Sequence, residues 1–106
     1  MTVYKSGKAW GDNLIVMKTL PNELEFSRYG FSVAKNVGKA VARNRVRRLL
    51  REVVRIASIK PGWDIVFIAR PAAVTADYHE LKRSAEKLLL RARLINENET
   101  VRAGVN

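Results

Sequence analysis

Five arginines fall within the nine residues from Arg43 to Arg51 of this 106-residue chain, in the segment AVARNRVRRLLRE. A guanidinium group binds phosphate through two parallel hydrogen bonds and stacks on nucleobases. Folding alone does not require so much like charge on one short segment. The chemistry that this segment offers is therefore the binding of an external polyanion.

The positive charge of the chain is concentrated around that segment. Residues 28–60 hold ten basic residues and one acid, Glu52, so they carry +9 of the formal net charge of +10, and the other 73 residues sum to +1. An ordinary solvated surface is the alternative, but the acids that would pair with these cations lie elsewhere in the sequence. A concentrated basic field indicates a polyanionic partner. A second basic cluster could extend the surface: Lys82, Arg83, Lys87, Arg91 and Arg93.

The residues that enzymes use for catalysis are scarce. His79 is the only histidine, no serine or carboxylate forms an obvious catalytic set with it, and we expect it at the surface. The chain contains no cysteine, which excludes disulfides and thiolate metal sites. The segment around Gly38 and Lys39 resembles a phosphate-binding loop, but Val33 and Ala40 stand where that loop needs glycine and Ser or Thr. The sequence predicts no catalytic side chain and no metal site built by the protein.

The arginines are expected on a helix. Apolar residues recur at positions 46, 49, 50, 53, 54 and 57, the spacing of one helical face, with the arginines on the opposite face. We expect Arg43 to Arg45 at the junction of loop and helix, where free N–H groups favour an anion. Asn44 could cap the helix or contact a base or ribose. Arg45 and Arg48 are expected to face solvent.

Three strands and a second helix should surround this helix. Residues 13–20 and 28–34 read as strands joined by a hairpin, and the apolar run 64–69 reads as a strand covered on both faces. Asp77 and Glu80 predict a capping box for the last helix. Its expected buried face is Leu81, Ala85, Leu88, Leu89 and Ala92.

The predicted fold class is α+β, a two-layer sandwich of a mostly antiparallel sheet with helices packed on it. The strand–helix–strand unit should form a parallel pair, with a right-handed crossover on general frequency. We expect one RNA-binding domain over residues 1–95 and a flexible polar tail over 96–106. No apolar run is long enough to span a membrane and the start of the chain has no apolar signal-peptide core, so a cytoplasmic protein is expected.

The partner of the basic helix is predicted to be RNA. A basic helix could enter the major groove of DNA. However, the arginines form a broad face beside a sheet and include few groups suited to reading base edges. Such a surface suits structured RNA that is recognised by its shape.

The segment YGFSVAKNVGKAVARNRVRRLLREVVR, residues 29–55, resembles the signature region of the bacterial ribonuclease P protein family. Its marks are the Arg-Asn-Arg element at 43–45, the preceding residues Lys35, Gly38, Ala40 and Val41, and the arginine-rich helix that follows. VYKSGK upstream and GWDIVFIAR downstream are also similar to family segments, so the resemblance covers residues 3–93.

The resemblance implies a small basic partner of a catalytic RNA. Together the two remove the 5′ leader of precursor tRNA by hydrolysis of one phosphodiester bond. The RNA would hold the catalytic Mg²⁺ ions, with none bound by the protein alone. The resemblance also implies a left-handed crossover around the arginine helix. A general or ribosomal-type RNA-binding protein is the alternative, and a membrane-surface or DNA-binding module is a third; we expect neither membrane nor DNA as partner.

The resemblance implies two binding surfaces. The RNA-binding residues that match the family are Lys35, Lys39, Arg43, Asn44, Arg45, Arg47, Arg48 and Arg51, and the helical spacing adds Arg55 to this set. The leader cleft matches Tyr4, Val16 and Lys18, together with the near side of the arginine helix, although Lys18 stands where the family often has an aromatic residue. Family members usually begin with an additional basic helix, most of which is expected to be absent here.

Overall fold

The computed structural model describes residues 7–96, which form a four-stranded sheet with two long helices. Tyr4 and residues 97–106 of the predicted tail lie outside the described residues. The elements are β1 Lys8–Gly11, β2 Ile15–Pro21, β3 Arg28–Ser32, α1 Ala40–Ile56, β4 Trp63–Ala69 and α2 Tyr78–Arg91, with short 3₁₀ helices at Lys35–Val37 and Pro71–Thr75.

The strands lie in the order β1-β2-β4-β3. β4 is antiparallel to β2 and parallel to β3, which confirms the parallel pair around the arginine helix. The predicted hairpin between β2 and β3 is wrong, because β4 lies between them. β4 takes a central position between β2 and β3, and most of its apolar run is buried there. The backbone N–H of Asn22 donates to the carbonyl of Gly62 (2.9 Å), so the β2–β3 connection passes over the start of β4.

Both long helices pack on one face of the sheet, because alternate strand residues share one core with them. Ile15 and Met17 of β2 and Ile65 and Phe67 of β4 belong to that core. The helices contribute fully buried Val46, Leu50 and Val53 from α1, and Leu81, Ala85, Leu88 and Leu89 from α2. The intervening strand residues, including Val16 and Lys18, lie on the other side, which we call the open face of the sheet.

Helix α1 begins earlier than its apolar spacing predicts. Its N-cap is Lys39, whose side chain makes no capping hydrogen bond, and the first helical residue is Ala40. Arg43 therefore lies inside the helix, with its N–H bonded to the carbonyl of Lys39 (2.9 Å), so the expected free N–H groups are not at 43–45. Asn44 cannot cap the helix. Its Oδ1 instead accepts a hydrogen bond from Arg47 (3.0 Å).

Helix α2 begins as predicted. The carboxylate of Asp77 accepts from the N–H of Glu80 (2.8 Å), and the carboxylate of Glu80 accepts from the N–H of Asp77 (3.1 Å). This reciprocal capping box satisfies two donors that the first helical turn would otherwise leave unpaired. The predicted apolar face is buried, with Ala92 packed at its margin.

Asp12 joins the β1–β2 turn to α2. Its Oδ1 accepts from the N–H groups of Leu14 and Ile15 (both 2.9 Å), and its Oδ2 accepts from the hydroxyl of Ser84 (2.5 Å) and pairs with Lys87 Nζ (3.2 Å). Burial opposes ionisation of this carboxylate, but the hydrogen bonds from Ser84, from the two backbone groups and from Lys87 together lower the pKa of Asp12 to about 2.

Candidate nucleic-acid interface

The exposed side of α1 is a ridge of five residues, which we call the α1 ridge: Val41, Asn44, Arg48, Arg51 and Arg55. Their spacing of three or four residues places them on one side of the helix, opposite the buried valines and leucines. The apolar period of the sequence therefore predicted the outward face of Asn44 and of three arginines correctly. It gave no sign of Val41, whose side chain is 83 % exposed amid the positive charge.

Arg47 and Arg51 lie along the edge of the sheet formed by β3. The guanidinium of Arg51 is 5.9 Å from the centre of the Phe31 ring, which in turn stacks on Phe67. Arg47 donates to Asn44 and, at 3.5 Å, to the carbonyl of Val33 just beyond β3. These contacts orient two long side chains while the ridge remains accessible. The side chains therefore lose less conformational entropy when a ligand binds.

Arg45 does not point freely into solvent, so that expectation is wrong. Its guanidinium donates to the carbonyls of Val74 (3.3 Å) and Ala76 (3.0 Å), in the connection between β4 and α2. These backbone carbonyls lie just before the start of α2. Arg45 is therefore a bridge between α1 and that connection, and only part of its hydrogen-bonding capacity remains for a ligand.

Arg43 and Arg55 differ in their partners. The Nε of Arg43 is buried and has no hydrogen-bond partner within residues 7–96, which is an uncommon state for a polar group. Arg55 donates from Nε to Glu52 (2.9 Å) and from its terminal nitrogen to the other carboxylate oxygen (2.5 Å). The hydrogen bond from Arg55 holds the pKa of Glu52 below its usual value, although both side chains are exposed and water screens the pair.

Arg48 and Arg51 have no ion-pair partner in the described part of the chain. Lys35 and Lys39 are exposed just before α1 and extend the positive surface beyond the start of the helix. Gly38 lies between them in close packing, since a Cβ there would come within 3.3 Å of both Ala42 and Val74. Glycine thus lets this lysine-bearing loop lie against the helix.

The predicted leader-cleft residues lie on the other side of the sheet. Val16 and Lys18 are half-buried on the open face, where their cross-strand neighbours are Ile68 and Val66 of β4. Tyr4 is outside the described residues. The resemblance implied that the near side of the arginine helix borders this cleft, but the structure does not bring Val16 and Lys18 together with α1. The two candidate surfaces lie on opposite sides of one sheet.

An ion pair at one end of the open face was not found from the sequence. Arg28 donates to both oxygens of Asp64 (2.7 Å each), and the amide of Asn22 donates to Asp64 Oδ1 (3.1 Å). Hydrogen bonds from Arg28 hold the pKa of this buried carboxylate low, while half of the arginine side chain stays exposed. A signal was available: Asp64 is the polar first residue of an otherwise apolar run.

Nothing within residues 7–96 resembles a catalytic centre. No group of three or more His, Asp or Glu residues in this range could hold a metal ion. His79 is exposed and lies edge-on to the ring of Tyr78. No helix in the same range is long and apolar enough to cross a membrane. What the described surface offers is positive charge and donors for an anionic polymer.

Comparisons with known proteins agree on one family. The family model described as Ribonuclease P matches residues 1–93. The ribonuclease P protein component of Thermoanaerobacter sp. (strain X514) is 48% identical over 99 residues, which cover 92% of this chain and 85% of the relative. That of Dehalococcoides mccartyi (strain CBDB1) is 51% identical over 86 residues, which cover 81% of this chain and 72% of the relative. Among solved structures, the RNase P protein of Staphylococcus aureus matches with a TM-score of 0.80 at 34% identity over 90% of this chain and 89% of that one. The RNase P protein of Thermotoga maritima matches with a TM-score of 0.78 at 30% identity over 84% and 86%.

Proposed function

The chain belongs to the ribonuclease P protein family, and we infer from this membership that it is the protein part of the ribonucleoprotein that cleaves tRNA precursors. Its role is to bind RNA during maturation of the tRNA 5′ end. The α1 ridge is the observation that carries this proposal, since two of its three arginines, Arg48 and Arg51, have no ion-pair partner within residues 7–96. The structural neighbours have the same α+β fold, with a mostly antiparallel sheet and two helices.

We propose that the catalytic RNA binds the helical side of the molecule. The contact residues are Lys35, Lys39, Arg43, Asn44, Arg45, Arg47, Arg48, Arg51 and Arg55. Of the arginines, Arg48 and Arg51 contribute most, because both are exposed on the ridge and no acid within residues 7–96 neutralises them. Arg45 and Arg55 contribute less, because Arg45 binds two carbonyls and Arg55 binds Glu52. If about six phosphates are neutralised, the logarithm of the binding constant falls against log salt with a slope of roughly −4 to −5.

The single-stranded leader of the precursor tRNA is proposed to follow the open face of the sheet. Val16 and Lys18 lie there, and Tyr4 is assigned to the same cleft by the family resemblance. Because this face and the α1 ridge are on opposite sides of the sheet, the two RNAs can bind at once without competing for the same side chains. Contacts that tolerate different leader sequences suit such a groove, which offers apolar side chains and one lysine.

The bond hydrolysis is assigned to the RNA. The described residues offer no cluster of acids or histidines that fits a resident Mg²⁺ ion, so the catalytic Mg²⁺ is proposed to be held mainly by the RNA subunit. The chain's own residues bind and position the two RNAs through guanidinium and ammonium groups. Residues 1–95 form the RNA-binding domain in this proposal, residues 96–106 form a polar tail, and the complex acts in the cytoplasm.

Reconstitution tests the proposal. The protein is mixed with a bacterial ribonuclease P RNA and precursor tRNA, and cleavage is measured against Mg²⁺ concentration. The expected result is faster cleavage at low Mg²⁺ than with RNA alone. Tight RNA binding without any gain in cleavage would instead identify a general RNA-binding protein.

Two matched variants then distinguish a specific contribution of the α1 ridge to RNA binding from a general effect of positive charge. Arg48→Ala removes a ridge arginine, and Arg70→Ala removes an exposed arginine whose guanidinium lies near Gly11 on the open face. Arg48→Ala should weaken binding of the catalytic RNA, and Arg70→Ala should leave it nearly unchanged. Equal effects of the two substitutions would reject the assignment of the ridge.

A further inference from the structure

A second line of positive charge runs along the outer side of α2. Arg83, Lys87 and Arg91 are all exposed and follow one another at intervals of four residues. With a rise of about 1.5 Å per residue, successive charges are about 6 Å apart along the helix. We call these three residues the α2 ridge. His79 continues the same line by one turn toward the start of the helix.

The α2 ridge is largely free of internal partners. Arg83 and Arg91 have no ion-pair partner within residues 7–96. Lys87 contacts Asp12, but its side chain remains 56 % exposed. That contact fixes the ammonium group beside the β1–β2 turn, because Asp12 is itself held by Ser84. The ridge thus combines two unneutralised guanidinium groups with one oriented ammonium group.

A depression of about 380 Å³ lies against this ridge, lined by Asp12, Asn13, Leu14, Glu80, Arg83, Ser84 and Lys87. The acids that line it are already engaged: Asp12 accepts four hydrogen bonds or ion contacts, and Glu80 caps the N–H of Asp77. Within the described residues, the amide of exposed Asn13 and the guanidinium of Arg83 have no such contact and remain as donors at the rim.

The chemistry of this face selects a phosphate chain over a lipid surface. A helix that lies on a membrane needs an apolar face to insert. The apolar side of α2 is already buried in the core. The large apolar residues that are exposed within residues 7–96 are Leu24, Phe26, Val41 and Ile56, none of them on α2. Residues 78–93 carry five basic and two acidic residues, a net charge of +3, which favours an anion.

We propose that the α2 ridge is a second contact for the sugar–phosphate backbone of the catalytic RNA, with the depression beside Arg83 receiving one ribose-phosphate unit. This inference rests on the proposed function. The catalytic RNA is the partner because α1 and α2 pack on the same face of the sheet, so one folded RNA can reach both ridges. The leader is assigned to the opposite face and cannot reach the α2 ridge by the same path.

Binding of the catalytic RNA without precursor tRNA tests the proposal. The Kd of the wild-type protein is measured at several salt concentrations and compared with that of Arg83→Ala and of Arg83→Ala combined with Arg91→Ala. Arg70→Ala is the control, since it removes an exposed arginine from the other side of the sheet. Thermal unfolding of all variants shows whether they fold equally.

Each substitution on the α2 ridge should weaken binding about three- to tenfold and reduce the salt slope by about 1, as expected for the loss of one phosphate contact. Arg70→Ala should change the Kd less than twofold. Ridge variants that bind like the control would overturn the proposal, as would variants that change only the KM for precursor tRNA, since the ridge would then contact the precursor.

Failure of the proposed function has a different outcome. In that case the wild-type protein would not stimulate the catalytic RNA, whatever the variants do. Stimulation by the wild-type protein together with unchanged binding by the ridge variants would reject only the α2 ridge.

Discussion

Replacement of Asp12 by asparagine should lower stability at neutral pH and should do so much less in acid. The carboxylate of Asp12 ties the β1–β2 turn to Ser84 and Lys87 of α2, and asparagine keeps the shape but loses the charge. Oδ1 of asparagine can still accept from Leu14 and Ile15. The substitution therefore isolates the charge-dependent contacts with α2 and leaves the turn itself in place.

The magnitude follows from proton linkage. The pKa of Asp12 falls from 3.8 to about 2 in the folded protein. Each unit of such a difference corresponds to about 1.4 kcal/mol, so the ionised carboxylate contributes roughly 2 kcal/mol to the free energy of unfolding. Because the folded pKa lies below the unfolded one, this contribution is fully present above about pH 4 and is lost as the pH falls toward 2.

Urea denaturation at a series of pH values measures this contribution. The unfolding free energy of the wild-type protein should exceed that of Asp12→Asn by roughly 2 kcal/mol at pH 7, and the difference should shrink toward zero near pH 2. The difference between the two proteins cancels the titration of other acids, such as Asp64. A difference that does not vary with pH would refute the linkage argument, and equal stability at pH 7 would show that the α2 contacts contribute nothing.

Three further substitutions separate folding from RNA binding. Arg45→Ala should lower the free energy of unfolding by about 1–2 kcal/mol in urea denaturation, because it removes two charged hydrogen bonds to the carbonyls of Val74 and Ala76. An unchanged free energy of unfolding would show that these hydrogen bonds do not stabilise the fold. Arg48→Ala should leave the unfolding midpoint unchanged and reduce the salt slope of RNA binding by about 1, and a large loss of stability would contradict its place on the exposed ridge. Thr19→Val should raise the free energy of unfolding in urea by about 1 kcal/mol, because the Thr19 hydroxyl is buried without a hydrogen-bond partner within residues 7–96. A destabilised variant would mean that a water molecule or another group satisfies this hydroxyl.

Local patterns in the sequence predicted several parts of the fold. The spacing of apolar residues in α1 correctly predicted that Leu50 is buried and Arg48 is exposed. An amphipathic helix on a sheet can bury only its apolar side. The Asp77 capping box was predictable because both partners are three residues apart. The α+β class and the parallel pair also followed from element order. The leader and RNA contact residues remain predictions.

Other features depended on contacts that the sequence does not display. β1 was missed, since Lys8–Gly11 is short and has no β-branched residue. The hairpin error arose because β4 pairs with both β2 and β3, and the β2–β4 pairing joins segments that are distant in the sequence. The start of α1 was placed too late because no side chain caps it. Arg45 could not be distinguished from Arg48, because its carbonyl partners lie about thirty residues further along the chain.

Within residues 7–96, strand β3 has a hydrogen-bonded neighbour on one side only, so its other side offers backbone N–H and C=O groups to an extended chain. Arg47 and Arg51 extend over that margin. Two copies that met there would bring their guanidinium groups together, and the repulsion would oppose aggregation of the free protein. If the catalytic RNA binds these arginines as proposed, it neutralises the same groups, and the charge that keeps unbound copies apart then serves assembly.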